Sequence, residues 1–354
     1  MGLAHAEDAG EGMSAALARG RPAPAPETLI LSRRAVAGLV NRSAWLEAVE
    51  TGFRAAAEGR AVAPPPMTLH GAGGAFHAKG ASLTLGRAYV ALKLNGNFPD
   101  NPAARALPTI QGALLLCDGE TGALLAIMDS IEITLRRTAA ATALAARFLA
   151  RPGSTTVLIC GCGEQGRAQL AALREVLPVA RAFAWDRDGS RANAFAEAAD
   201  GCCRIPVEPV DDLAAAALQS DVIVTCTTAR EPFLEAGFVR PGTFVAAVGA
   251  DSPQKSEVCP ELMARALVVA DSLDQCAVMG DLRAAFAAGL MGPGDVHAEL
   301  GDLVTGRAPG RTDDAQITLF DSTGTALQDV AAAAFLYRSA LATPSCPAVA
   351  LGAP

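Results

Sequence analysis

Thr155-Thr156-Val157-Leu158-Ile159-Cys160-Gly161-Cys162-Gly163-Glu164-Gln165-Gly166 is the stretch on which the fold turns. A β-branched apolar run leads into G-x-G-x-x-G, and Arg167–Val176 behind it has helical composition. Strand, glycine turn and helix in that order give the glycines their meaning. Gly161 permits the tight turn, Gly163 lets a pyrophosphate approach the backbone, and Gly166 lets the helix sit close to the sheet. Unpaired N–H groups at the helix start are then offered to the phosphates. Gly161, Gly163, Gln165 and Gly166 are therefore candidate cofactor-binding residues. The bland alternative is a structural turn, since glycine-rich turns are common.

The next strand ends at Trp185-Asp186, about 20 residues past the last glycine, where an acid can take the ribose hydroxyls. Asp186 favours NAD, because a 2′-phosphate would meet a carboxylate. Arg187 beside it can relieve that repulsion and keeps NADP possible.

Downstream, apolar strands at 155–160, 181–185, 221–226, 243–248 and 267–270 alternate with helices. Such alternation argues for a parallel sheet with right-handed crossovers. Upstream, 28–128 reads as mixed α+β. Strands are expected at Thr28–Leu31, Met67–His70, Ala75–Lys79 and Ala88–Leu94, with helical periodicity over Arg34–Glu58 broken near Asn41. Ile110–Cys117 and Ala123–Asp129 flank a turn cluster and form a hairpin. Ser130 is expected to cap a long helix over Ile131–Ala150. A strand at Gln316–Phe320 and a helix at Ala326–Leu341 should pack back on the first domain.

The predicted class is thus α/β. A Rossmann-type dinucleotide domain (129–314) accompanies an α+β substrate-binding and dimerisation domain (28–128 with 315–354), behind a flexible leader (1–27).

Bulk properties remove other classes. A chain of 354 residues exceeds what one core usually serves, and 51% apolar with 19% charged residues fits a buried globular protein. A net charge of −8 without a basic stripe argues against nucleic acid. No stretch nears the roughly 20 apolar residues of a membrane span. The N-terminus lacks the apolar core of a secretory signal. Nine cysteines with no C-x-x-C read as reduced residues of a cytoplasmic protein. Four histidines without metal spacing predict no metal site.

Several further motifs fall in a recognisable order. They are Lys93-Leu94-Asn95-Gly96-Asn97-Phe98-Pro99-Asp100-Asn101-Pro102, Thr134–Ala140 (T-x-x-R-T-A), Val248-Gly249-Ala250-Asp251, Gly306–Arg311, and Ile317–Gly324 followed by Gln328-Asp329. From about residue 28 onward the chain resembles the ornithine cyclodeaminase and mu-crystallin family. The resemblance implies a site at the mouth between domains. Lys93 would bind the substrate carboxylate; Arg137 would reach that carboxylate or the cofactor phosphates, and Thr138 the phosphates. Asp251 would be the acid/base residue, Thr225 and Thr227 would touch the dinucleotide, and Ser322 and Gly324 would line it. Many relatives carry an arginine where Met67 stands, and Lys79 is a nearby cation able to replace it.

Each residue has a plainer reading. Lys93 and Lys79 could be surface strand residues, Asp251 could cap a turn before Pro253, and Ser322-Thr323-Gly324 could be only a turn. Arg136 points roughly 100° away from Arg137 and is assigned to a surface ion pair. His77 is read as scaffolding.

The resulting expectation is NAD(P)H-dependent reduction of a small cyclic imino acid by a homodimer. Asp251 would protonate the imine nitrogen or stabilise the iminium. The rivals are an ornithine or lysine cyclodeaminase, an amino-acid dehydrogenase, and a non-catalytic nucleotide-binding protein.

Overall fold

The structure, a computed structural model, describes residues 27–203, 205–343 and 346–351. The leader expected over 1–27 lies outside the described residues apart from Glu27.

The first domain opens with β1 (Thr28–Leu31), α1 (Arg33–Leu39) and α2 (Arg42–Ala57). The helical periodicity breaks at Asn41 because its side chain caps α2, accepting from Ala44 N. Strands β2 (Ala61–Val62), β3 (Met67–Gly71), β4 (Gly74–Leu85) and β5 (Arg87–Asn97) come next. After α3 (Asn101–Arg105), the hairpin β6 (Ile110–Asp118) and β7 (Leu124–Asp129) leads into α4 (Ser130–Leu149). Asp129, not the expected Ser130, caps α4 by accepting from Glu132 N, while Ser130 Oγ donates to Asn95 Oδ1.

The second domain alternates β8 (Thr156–Cys160), α5 (Glu164–Leu173), β9 (Arg181–Trp185), α6 (Gly189–Cys203), β10 (Val207–Pro209), α7 (Leu213–Gln219), β11 (Val222–Thr225) and β12 (Phe244–Ala247). Then come α8 (Pro260–Arg265), β13 (Leu267–Ala270), α9 (Leu273–Cys276), α10 (Asp281–Ala287), β14 (Ala298–Glu299) and α11 (Leu300–Thr305). The chain closes with β15 (Thr318–Asp321), α12 (Ala326–Leu341) and β16 (Ala348–Val349).

Two sheets result. The first runs β16-β1-β7-β6-β5-β4-β2, with β3 also on β4; the second runs β10-β9-β8-β11-β12-β15-β13-β14 and is parallel throughout. Residues of β8, β11 and β12 are buried to the last one, as a sheet covered on both faces requires.

The C-terminal expectation needs correcting. β15 does not return to the first domain: it lies between β12 and β13, pairing Thr318–Asp321 with Phe244–Ala247 and Leu267–Ala270. Only the two later elements go back, α12 against β4, β5, α2 and α4, and β16 against β1. The crossing between domains therefore falls at Ser322–Thr325.

Burial on β5 alternates. Tyr89, Ala91 and Lys93 face inward beneath α12, while Val90, Leu92 and Leu94 are 40–50% exposed. The opposite face of the first sheet is thus an apolar surface carried by three consecutive outward positions. Among the described residues no helix is long and apolar enough to cross a membrane.

Candidate active site

In the second sheet the strand order reverses between β8 and β11, and ligands of open α/β sheets bind outside the carboxyl ends at such a point. A cleft of about 590 Å³ opens there, lined by Gly161, Gly163, Asp186, Arg187, Thr227 and Phe233 among others. Its volume is in the usual range for a cofactor pocket. Trp185 stacks on Phe233 at 5.2 Å to close one side.

Local sequence accounts for this wall. Gly161 has φ +108, and a Cβ there would lie 2.7 Å from the Cys226 carbonyl oxygen, so only glycine makes the turn. Gly163 is the N-cap of α5, with Gln165 and Gly166 in the first turn. Gln165 Nε2 is buried without a hydrogen-bond partner. A buried orphan donor beside a helix start suits a phosphate oxygen. Asp186 Oδ2 accepts from Cys162 N at 2.9 Å, which ties the ribose-side acid to the glycine turn. The residues present fit a dinucleotide.

Two expected cofactor contacts turn inward instead. Thr225 is the last residue of β11, fully buried, and its hydroxyl donates to Glu257 Oε2 at 2.7 Å. Ser322 donates to Asp271 Oδ2 at 3.1 Å and is 3% exposed. Both hydroxyls donate to buried acids, which occupies the side chains expected to touch the dinucleotide. Thr138, on α4, is nearly buried. Thr227 does line the cleft, its backbone N donating to Glu257 Oε1 at 2.6 Å.

Glu257 is the residue that sequence reasoning missed here. It also accepts from Gly249 N at 2.9 Å, gathering the ends of β11 and β12 under the cleft. Burial, with the nearby Asp281 carboxylate, pushes its carboxyl up to about 7 despite those donors. No motif announces it.

The residues expected to hold the substrate come from distant segments. Lys79 on β4 and Lys93 on β5 are directly opposite cross-strand partners. Lys93 is 4% exposed; its Nζ lies 2.5 Å from Asp329 Oδ2 and donates to Thr134 Oγ1 at 3.3 Å. Arg137 Nε donates to Asp329 Oδ1 at 3.0 Å, and Nη1 to Gln328 Oε1 at 3.1 Å. Lys79 Nζ donates to the carbonyl oxygen of Gly324 at 2.8 Å. Gly324 has φ +72, and a Cβ on it would strike the Arg137 guanidinium at 2.6 Å. The Gly324 turn therefore brings the end of β15, inside the second sheet, against Lys79 of β4 and Arg137 of α4. Asp271 fixes that turn, accepting from Gly324 N at 2.7 Å and Thr323 Oγ1 at 3.0 Å.

Electrostatics reflect this crowding. Burial pulls the Lys93 ammonium down to about 8, opposed by Asp329, while Arg137 and Lys79 add to the lowering. Lys79 is lowered by burial and then by Arg137. Asp251, on the loop after β12, is 56% exposed at its side chain and pairs with Lys255 Nζ at 2.6 Å. Burial works against its ionisation, but Lys255 and Lys79 outweigh it and hold the carboxyl below its usual range. The same carboxylate acts on His77, whose ring Nδ1 meets Thr68 Oγ1 at 3.2 Å. Lys79, Asp251, Lys255 and His77 thus lie near enough to act on one another's charge. Met67 is exposed on β3, paired with Ala78, so Lys79 stands beside the position it was expected to replace. Arg136 pairs with Glu132 at 2.8 Å, away from this cluster.

The model of the ornithine cyclodeaminase/mu-crystallin family matches residues 26–344. An alanine dehydrogenase of Archaeoglobus fulgidus is 38% identical over 89% of this chain and 96% of its own. A Δ1-pyrroline-2-carboxylate reductase of Paracoccus denitrificans is 37% identical over 68% of this chain and 76% of its own. The solved structure of the Thermococcus litoralis Δ1-pyrroline-2-carboxylate reductase, in complex with NADH and L-proline, superposes with a TM-score of 0.86 at 31% identity. It covers 90% of this chain and 99% of that one.

Proposed function

The chain belongs to the ornithine cyclodeaminase/mu-crystallin family, and on that premise we propose that it reduces a small 2-imino acid with a reduced nicotinamide dinucleotide. The preferred substrates are the cyclic imines Δ1-pyrroline-2-carboxylate and Δ1-piperideine-2-carboxylate, giving L-proline or L-pipecolate. One observation carries the reading: buried Lys93 and Arg137 share one directly paired acid, Asp329, with Lys79 as the cross-strand neighbour of Lys93 and Asp251 acting on Lys79. Surplus positive charge in a buried recess is resolved by an anionic ligand, here the substrate carboxylate.

When bound, the dinucleotide supplies the hydride taken up at C2 of the ring. Gly161, Gly163, Gln165 and Asp186 would hold it, with Arg187 admitting NADP beside the preferred NAD. Lys93 and Lys79 take the substrate carboxylate. The depressed carboxyl of Asp251 selects between its two expected roles: it is ionised at neutral pH and stabilises the protonated imine nitrogen while C2 is reduced. Cyclodeamination of ornithine or lysine would need an acid to receive the distal ammonium. Asp251 instead already faces two cations, paired with Lys255 and acted on by Lys79, which disfavours such a substrate.

The alanine dehydrogenase and the pyrroline-carboxylate reductase are amino-acid and imino-acid oxidoreductases, which supports the reaction class. The test is absorbance at the reduced-nicotinamide band with a panel of 2-imino acids and both cofactors. Rapid oxidation with the cyclic imines is expected. Ammonia release from ornithine with catalytic NAD and no net absorbance change would overturn the assignment.

The active form is proposed to be a cytoplasmic homodimer joined through the outward face of β5. Val90, Leu92 and Leu94 form the centre of an apolar patch of the kind that marks an interface. Leu92→Glu is expected to halve the sedimenting mass; an unchanged mass places the interface elsewhere.

A further inference from the structure

Gln328-Asp329 opens the closing helix, and imine reduction by the groups assigned so far leaves the pair without a role. Asp329 is 2% exposed, and its two oxygens are divided between Lys93 Nζ at 2.5 Å and Arg137 Nε at 3.0 Å. Gln328 completes the frame, accepting from Arg137 Nη1 and donating from Nε2 to Asp271 Oδ2 at 3.3 Å. One carboxylate therefore binds β5, α4 and α12 together at the point where the substrate acid is to be held. Resting on the imino-acid reading, we propose that Asp329 is a positioning residue for carboxylate recognition, holding the Lys93 ammonium charged and in place.

A purely structural tie would not need an amine. The whole chain contains three lysines, Lys79, Lys93 and Lys255, against twenty-six arginines. All three stand together, Lys79 and Lys93 as cross-strand partners and Lys255 on Asp251, whose charge also acts on Lys79; every other fixed positive side chain is a guanidinium. Arginine stays charged almost regardless of burial, whereas an amine is compact and loses its proton when desolvated. An amine here gives a small point charge that fits beside a ring substrate, and it creates a difficulty that arginine would not have. Burial acts to neutralise it.

The groups facing Lys93 decide the outcome. Asp329 comes from α12, Arg137 and the Thr134 hydroxyl from α4, and Lys79 from β4. Two of the three charged neighbours are cations that oppose the ammonium. Asp329 alone among them favours it, and its own carboxyl is held below the usual range by Lys93 and Arg137 against the effect of burial. Replacing Asp329 with a neutral isostere leaves Lys93 buried with two like charges. It would then lose its proton at a lower pH, and its hold on the carboxylate would go with it.

Three lysines make this measurable in the full-length protein. With [13C]lysine labelling, the three Cε–Hε signals can be assigned by single Lys→Arg substitutions and followed against pH. The wild-type Lys93 midpoint is expected near 8, and the Asp329→Asn midpoint at least one unit lower. The alkaline limb of kcat/KM for imine reduction should move the same way, with KM carrying most of the loss and kcat at saturation changing less. Asp329→Glu, which keeps the charge on a longer arm, should restore the limb to within about half a unit while leaving KM several-fold high.

An Asp329→Asn midpoint equal to wild type overturns the proposal. If that variant does not fold, Asp329→Glu decides alone: a Lys93 midpoint a full unit below wild type, with the carboxylate still present, is equally fatal. Absence of imine turnover with the expected Lys93 shifts would sink the reaction and spare this inference; turnover with unmoved midpoints would do the reverse.

Discussion

The two walls of the cleft are made in opposite ways. The cofactor wall is a local product: one strand, one glycine turn and one helix start within residues 156–173 supply the turn, the open backbone and the donors. The substrate wall is an assembly. Lys79 reaches a carbonyl 245 positions along the chain, and Arg137 reaches an acid 192 positions away. On the proposed reading, backbone would recognise what every dinucleotide shares, whereas side chains gathered from afar would recognise what one substrate has. A family can therefore keep the first wall and exchange reactions by altering the second.

If the walls are independent, changes in one should leave the other's readout intact. The largest effect is expected from Asp251→Asn, which removes the charge facing the imine nitrogen: kcat should fall about 10²–10³-fold, as for loss of one electrostatic stabiliser, while NADH affinity stays within about twofold. A parallel loss of NADH binding, read by fluorescence titration, would show the walls to be coupled. Gly161→Ala is the mirror experiment. A side chain at φ +108 against the Cys226 carbonyl is strained by about 1–3 kcal/mol, so NADH affinity should drop roughly 5- to 150-fold. The Lys93 titration should not move.

A third effect, on stability rather than on either wall, concerns Glu257 beneath the ends of β11 and β12. Its carboxyl is raised from 4.5 to about 7 in the folded chain. The native state thus keeps a proton that the unfolded chain releases, and stability from this group falls as pH rises from about 4.5 to 7. Glu257→Gln removes that dependence, worth up to about 3 kcal/mol across the window. It also loses carboxylate acceptors for Thr225, Thr227 and Gly249. The melting temperature should be lower overall yet flatter between pH 5 and 7; an unchanged slope would mean that other buried acids, such as Asp281 and Asp321, carry it.

The same contrast explains what could be read from the chain beforehand. The glycine turn, Asp186 and the parallel alternation were legible because each is a short-range pattern with a single geometric meaning. Membership of β15 in the second sheet was not, since four apolar residues suit a buried strand in either domain. Lys93 was ambiguous for a related reason: period-two alternation separates two faces without saying which is inside. Here it puts the lysine in and the leucines out, against the hydropathic default. Asp329 stood in a motif without a role and Glu257 in no motif, because their partners are defined only once α12 and the loop after β12 are folded into place. Thr225 and Ser322 show the converse: a motif position does not give the direction of a hydroxyl, and here both donate to buried acids.

The confinement of lysine has a practical corollary. Apart from the chain's own amino terminus, an amine-directed dye, cross-linker or activated resin meets no primary amine other than Lys79, Lys93 and Lys255. Routine conjugation would therefore act as affinity labelling, and protection by a bound carboxylate during coupling would decide whether the attached protein still works.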